Sequence, residues 1–145
     1  MRIGFLARLW LTLVAVVHLE VARRHGAAHI SLTVVLSEFQ QLFVYAVIVG
    51  GPIVATVGFW TRYFVVSVWL FCSCMTGALL FGVFYHYVLI SADNVSCLPL
   101  GSVSAHLEFT RTALLLALLE SCGVLSGTAF LIRSRRAGAP FLHQA

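Results

Sequence analysis

Residues 63–90 read YFVVSVWLFCSCMTGALLFGVFYHYVLI, a stretch that contains no Asp, Glu, Lys or Arg. As an α-helix with about 1.5 Å of rise per residue, this run is longer than the roughly 30 Å of a bilayer's hydrocarbon core. An apolar run of such length predicts a transmembrane helix. We therefore expect the chain to fold around helices that cross a membrane.

Three further apolar stretches flank this one, at residues 3–22, 31–60 and 107–132. The 145-residue chain is 61% hydrophobic and 10% charged, whereas soluble domains carry roughly 25% charged residues. The sequence therefore predicts an all-α integral membrane domain of four helices over residues 1–136. Short connections favour an antiparallel four-helix bundle in up-down-up-down order. Residues 137–145 are expected to form a short cytoplasmic tail.

Polar residues and helix-breaking residues predict where the first two helices begin, end or bend. Residues 23–26 (RRHG) follow the first apolar stretch and predict its end there. Ser31 is a candidate N-cap for the second helix, and Pro52 predicts a kink in its middle.

The nine basic residues, all arginines, are unequally distributed between the two expected membrane faces. One face has Arg2, Arg8, Arg62, Arg133, Arg135 and Arg136, and the other has Arg23, Arg24 and Arg111. The positive-inside rule therefore predicts cytoplasmic N- and C-termini. Arginine without lysine is typical of a GC-rich genome, which favours a bacterial inner membrane. The net charge of +4 comes from these flanks, so the sequence indicates a lipid bilayer and no nucleic acid as a partner.

The middle of the chain resembles DoxX-type small membrane proteins, which are also four-helix bundles. The resemblance is carried by Gly50, Gly51 and Gly58, by the turn at residues 61–62 (TR), and by the apolar third helix that follows. It implies an association with respiratory or redox systems.

Several ionisable side chains are expected at the outer end of the bundle. They are His18, His86 and His106, with Glu38 and Glu120. Ionisable residues within membrane spans are costly, which makes them candidate functional residues.

The three histidines are the candidate cofactor-binding residues, for a haem, a quinone or a transition metal. His86 and His106 with Glu38 or Glu120 are the candidate metal ligands, because imidazole and carboxylate groups suit divalent metals. The alternative is that the histidines are interfacial and hydrogen-bonded to loops or lipid headgroups. The sequence contains no Glu-x-x-His pair of the di-iron type, which would have decided between the two interpretations.

Glu120 is predicted to face the other helices. His106, Ala113, Glu120 and Gly127 recur every seven residues and so share one helix face, with small and polar side chains. Glu120 either carries protons or is a neutral carboxyl that bonds across helices, and both interpretations remain open.

Other polar groups are expected to be structural. Ion pairs are predicted between Glu20 and Arg24, four residues apart, and between Glu108 and Arg111, three apart. Cys72 and Cys74 point in nearly opposite directions on a helix, so they cannot chelate one ion together.

Three functions remain open, and whether the chain is an enzyme stays uncertain. The favoured one is an accessory subunit of a larger respiratory or redox-type membrane complex, because short loops leave little room for a substrate site and small-residue surfaces suit partner subunits. The alternatives are a small membrane redox or metal-, haem- or quinone-binding protein, and a small transporter.

Overall fold

The computed structural model describes residues 2–138, with side chains described for residues 5–136. All regular secondary structure in these residues is helical, and they include no strand. The four helices are α1 (Arg2–Ser31), α2 (Glu38–Phe59), α3 (Phe64–Val88) and α4 (Val103–Gly138). Each contains a stretch long and apolar enough to cross a membrane. The all-α prediction is confirmed, whereas the up-down-up-down membrane topology stays a prediction. Most of the predicted tail lies outside the described residues.

Helix α1 continues through the residues at which the sequence predicted its end. It runs to Ser31, so the end at residue 22 and the N-cap role of Ser31 were wrong. Gly26 keeps a negative φ within the helix. Arg23 and Arg24 bond to carboxylates on α1 and α4, so their charges find partners without a break in the helix.

Helix α2 begins later than predicted and is irregular in its middle. It starts at Glu38, where Ser37 and Gln40 form a capping box. A π-helical segment, Val44–Gly50, lies directly before Pro52, which has no N–H to donate. Helix α2 is thus irregular before Pro52, as a π-helical segment, whereas the kink predicted at Pro52 stays a prediction.

The helices pack in neighbouring pairs around an apolar core. Helix α4 contacts α1 and α3, and α3 contacts α2. The core contains Leu11, Val14, Ala15, Ala55, Phe59, Phe64, Val68, Phe71, Met75 and Leu131. Glycines bring the helices close together: a Cβ on Gly51 would lie 2.2 Å from the Cys74 Sγ, and one on Gly127 would lie 2.3 Å from the Cys72 Sγ. Both cysteines are free thiols in packing contacts.

The outward faces of the helices carry large apolar side chains. Leu13, Val57, Val66 and Leu118 are each more than half exposed. Monomeric soluble proteins rarely expose contiguous apolar surface on this scale. These faces are compatible with contact with a lipid bilayer and with an integral membrane protein.

Helices α1 and α2 leave a cavity between them. Their contact is made mainly along Gly51–Phe59, the second half of α2. On the side of the π-helical segment a cavity of about 670 Å³ lies between the two helices and reaches α3 and α4. The candidate site lies on the inner wall of this cavity.

Candidate metal centre

Three buried histidines converge at one end of the helices, and we call them the tri-histidine cluster: His25, His29 and His86. His25 and His29 lie one turn apart on α1, and His86 belongs to a second π-helical segment, Phe84–Val88, at the end of α3. The Nε2 atom of His25 lies 3.1 Å from the Nε2 atoms of both His29 and His86. One nitrogen from each ring lies within 4.8 Å of the other two, a spacing that allows a single metal ion.

Thr112 on α4 determines which nitrogen of His25 carries the proton. The Thr112 hydroxyl lies 2.6 Å from the carbonyl oxygen of Glu108, and this oxygen only accepts hydrogen bonds, so the hydroxyl proton points there. The His25 Nδ1 is 2.9 Å from the same hydroxyl oxygen and must therefore donate to it. In neutral His25 the Nε2 is left with a lone pair that faces His86.

Asp93, in the loop between α3 and α4, likewise determines which nitrogen of His86 carries the proton. The Nδ1 of His86 faces two acceptors, the Asp93 carbonyl oxygen at 3.0 Å and its carboxylate Oδ1 at 3.2 Å. The amide of Val95 also donates to the backbone carbonyl of His86, which ties the loop to the helix end. Nδ1 is thus the donor, and in neutral His86 the Nε2 is an acceptor.

Two imidazole lone pairs therefore face each other across 3.1 Å, between His25 and His86. Two acceptors at this distance repel each other unless a proton or a metal ion lies between them. In a tetrahedral site with Zn–N bonds of about 2.05 Å, ligand nitrogens are about 3.3 Å apart. Metal-ligating histidines commonly donate their other N–H to a carboxylate, carbonyl or hydroxyl group, as both rings do here.

Asp93 adds an anionic group with spare acceptor capacity. Its side chain is buried, and within the described residues its carboxylate oxygens make no well-directed hydrogen bond, although Oδ1 lies 3.2 Å from the His86 Nδ1. Oδ1 also lies 3.3 Å from the His29 Nε2, within ion-pair distance. A buried carboxylate is stable only when its charge is compensated. A cation at the cluster supplies that compensation, so the donor set fits a metal ion.

A second buried polar pair lies deeper in the molecule. His18 on α1 and Glu120 on α4 are 3.2 Å apart, and both are almost fully buried. A Cβ on Gly82 would lie 3.9 Å from the His86 ring and 4.0 Å from the Glu120 carboxylate, so this glycine separates the pair from the cluster. Ala113 and Glu120 are both buried, which confirms the predicted inward face of α4 at these two positions.

The other candidate residues lie apart from the cluster. His106 bonds to the carbonyl oxygens of Ser102 and Pro99 at 3.0 and 2.9 Å, beside its own helix start. Glu38 is exposed at the beginning of α2. Of the five candidates, the structure places His86 in the cluster, brings His18 and Glu120 together, and leaves His106 and Glu38 outside both groups.

Both predicted ion pairs are replaced by others. Glu20 bonds to Arg23 with two contacts of 2.8 Å rather than to Arg24. Arg24 crosses to α4 and lies 2.7 Å from Glu108, which the sequence had paired with Arg111. The reason is the unbroken α1, which carries Arg24 alongside α4 instead of into a loop.

Sequence reasoning missed three residues of the site: His25, His29 and Asp93. The two histidines were placed beyond the predicted end of α1, in a connecting segment. Their spacing of four residues was the available signal, since residues i and i+4 of a helix lie on one face. Asp93 reaches the cluster through a loop whose conformation no periodicity in the sequence indicates.

Comparisons with protein-family models, with curated proteins and with solved structures give no match. The resemblance to DoxX-type proteins accordingly has no support beyond the residues that suggested it. The functional argument depends on the geometry of the site.

Proposed function

We propose that the chain is an integral membrane protein that binds one divalent transition-metal ion through His25, His29 and His86. One observation carries this proposal: His25 and His86 direct their Nε2 atoms at each other across 3.1 Å while Thr112 and Asp93 hold their outer nitrogens as donors. This arrangement favours a cation at the point where the lone pairs meet.

The donor set favours zinc among the common metals. Neutral imidazoles suit zinc, copper, iron and nickel, and the cluster has no thiolate or thioether of the kind that selects monovalent copper. Three histidines with an open side are also typical of zinc sites that accept a further ligand. Here the open side is the cavity, which His25, His29, His86 and Asp93 all line.

The other functions are less well supported. The His25 Nε2 lies 3.1 Å from the Nε2 atoms of both His29 and His86, which leaves no room for a haem plane between the rings and so favours an ion over a haem. The accessory-subunit and transport hypotheses stay predictions, because no observation in the described residues bears on a partner or on a transport path. A metal centre is compatible with either.

The test is the metal content of the purified protein. After chelation in a neutral detergent, the protein is titrated with Zn²⁺, and bound metal is measured by atomic spectroscopy. We expect one ion per chain in the parent and loss of stoichiometric binding in His25→Ala and His86→Ala.

The matched control is His106→Ala, since His106 bonds only within its own segment. This variant should bind zinc like the parent, and circular dichroism should report the same helix content in all variants. A parent that binds no metal, or a His106→Ala variant that loses as much metal as His25→Ala, contradicts the proposed site.

A further inference from the structure

The cavity beside the tri-histidine cluster has apolar walls and a polar inner end. Its walls include Leu19, Val44, Ile48, Val49, Ile53, Phe81 and Leu116. The buried polar lining residues, which define the inner end of the cavity, are the three histidines, Asp93 and Glu120. Its volume of about 670 Å³ is within the range of small-molecule sites, about 300–1,000 Å³. An elongated molecule with one polar end matches this distribution of side chains.

The mouth of the cavity lies between α1 and α2, and its exposed lining residues are mostly apolar, with Arg23 and Gln41 as the charged and polar exceptions. Ile30 and Val35 at the end of α1 and beyond it are 80% and 88% exposed, and Tyr45 on α2 is 70% exposed. All three also line the cavity. An opening bordered by such side chains is more stable against lipid than against water. A ligand that dissolves in the bilayer can therefore enter from the side, without passing through a polar loop.

The net charge of the metal ion and the side chains at the inner end indicates which polar group a ligand should carry there. A divalent ion held by three neutral imidazoles carries two positive charges, and the Asp93 carboxylate compensates one. The buried His18–Glu120 pair is most stable as a net-neutral unit, because an isolated charge within the membrane is costly. Arg23 at the cavity wall is paired with Glu20. One positive charge remains, and one anionic oxygen group neutralises it.

We infer that the cavity binds a long-chain carboxylate drawn from the bilayer, with its headgroup on the metal ion and its hydrocarbon tail between α1 and α2. The inference rests on the proposed metal site. The buried His29 and Asp93, which each have unpartnered polar atoms and line the cavity, lie beside the position of the headgroup. Zinc accepts a fourth or fifth ligand of this kind.

The experiment uses the full chain loaded with Co²⁺, whose visible spectrum responds to its ligands, in a neutral maltoside detergent. Dodecanoate is the probe, and dodecanol, dodecyltrimethylammonium and acetate are the comparison molecules. We expect dodecanoate to bind with a stoichiometry of one and to shift the cobalt bands. Dodecanol, the cation and acetate at equal concentration should leave the bands unchanged.

Two substitutions add side-chain volume to the cavity at residues that are not proposed metal ligands. An added Cβ on Gly26 meets no atom within 4 Å, and Gly26 lines the cavity, so Gly26→Leu should occupy ligand space. Its control is Ala27→Leu, exposed and outside the lining residues. On α2 the pair is Val49→Phe, in the cavity, and Leu42→Phe, outside it.

A side chain added inside the cavity competes with the ligand for space, and a tenfold loss in dodecanoate affinity corresponds to about 1.4 kcal/mol. We expect this loss in Gly26→Leu and Val49→Phe, with the cobalt stoichiometry unchanged, and parental affinity in both controls.

The possible failures are distinguishable. A protein that binds cobalt but no dodecanoate overturns this inference and leaves the metal site standing, whereas a protein that binds no cobalt overturns both. Equal dodecanoate affinity with and without metal overturns the assignment of the headgroup to the ion. A spectral shift that acetate reproduces at equal concentration shows a small-anion site only, and it also overturns the inference.

Discussion

The Nε2 atom of His18 on α1 lies 3.2 Å from the Oε1 atom of Glu120 on α4, and neither side chain reaches the surface. In the described residues these two helices share one other buried side-chain hydrogen bond, between His25 and Thr112. Because the Nδ1 of His18 has no partner, Glu120 is its one polar contact in the described residues. The stability of the α1–α4 pair should depend on this bond.

Substitutions of Glu120 separate hydrogen bonding from charge. Glu120→Gln keeps an acceptor and adds a donor, so we expect a melting temperature in detergent close to that of the parent. Glu120→Leu leaves the His18 imidazole buried without a partner, which should cost about 1–2 kcal/mol. The double variant His18→Leu with Glu120→Leu should be less destabilised than the sum of the single variants, since the two residues share one bond. Strict additivity in that cycle would show that the bond contributes nothing.

Thr112 should influence metal affinity although it does not reach the ion. Thr112→Val removes the oxygen to which His25 Nδ1 donates, and loss of such a supporting bond typically weakens metal binding about 10–100-fold. Thr112→Ser keeps the hydroxyl and should bind zinc like the parent. Competition with a chromophoric chelator measures both affinities. Parental affinity in the valine variant would mean that the His25 tautomer is set by another group.

Alanine substitution should lower stability at a glycine in a helix contact and raise it at a glycine in open space. In Gly51→Ala the new Cβ would meet the Cys74 Sγ at 2.2 Å, and overpacking of this kind costs about 1–3 kcal/mol. Gly26→Ala meets nothing within 4 Å and should stabilise the helix by up to about 1 kcal/mol. Thermal unfolding in detergent compares the two.

The rescue variant Gly51→Ala with Cys74→Ala removes the clashing sulfur and should recover most of the lost stability, because the remaining Cβ of residue 74 lies 3.3 Å away. If the rescue fails, the helix contact is not the cause of the loss.

Membrane orientation can be tested with the cysteine already present in the loop before α4. Cys97 is exposed, whereas Cys72 and Cys74 are buried. In right-side-out vesicles we expect Cys97 to react with a membrane-impermeant maleimide, because the arginine asymmetry predicts cytoplasmic termini. Thr61→Cys in a Cys97→Ala background, at the exposed turn between α2 and α3, should stay unlabelled. The reverse pattern would place the tri-histidine cluster on the cytoplasmic side.

Hydropathy was sufficient to predict four long apolar helices, because the apolar runs are much longer than a bilayer requires. The seven-residue pattern on α4 also placed Ala113 and Glu120 on a buried face. Both successes depend on patterns that repeat along a single helix, where the geometry follows from the sequence.

The centre of the site was harder to predict because tertiary contacts override local signals there. The RRHG segment at residues 23–26 has the composition of a helix end, yet the helix continues through it, with Arg23 and Arg24 paired to Glu20 and Glu108. That continuation is what turns His25 and His29 towards His86. The bonds from His106 to Ser102 and Pro99 depend equally on a loop conformation that the sequence does not specify.

Because of the π-helical segment Phe84–Val88, the direction of the His86 side chain depends on the number of residues in α3 as well as on their identity. A π-turn holds more residues than an α-turn, so a helix with such a turn accommodates an additional residue within a given number of turns. Deleting one residue between Gly82 and His86 would rotate the imidazole by about 100° relative to the preceding helix. A related sequence that keeps the histidine but shortens this interval by one residue would present it to a different neighbour. The spacing from Gly82 to His86 is therefore a better marker of this site in other sequences than the aromatic residues in between.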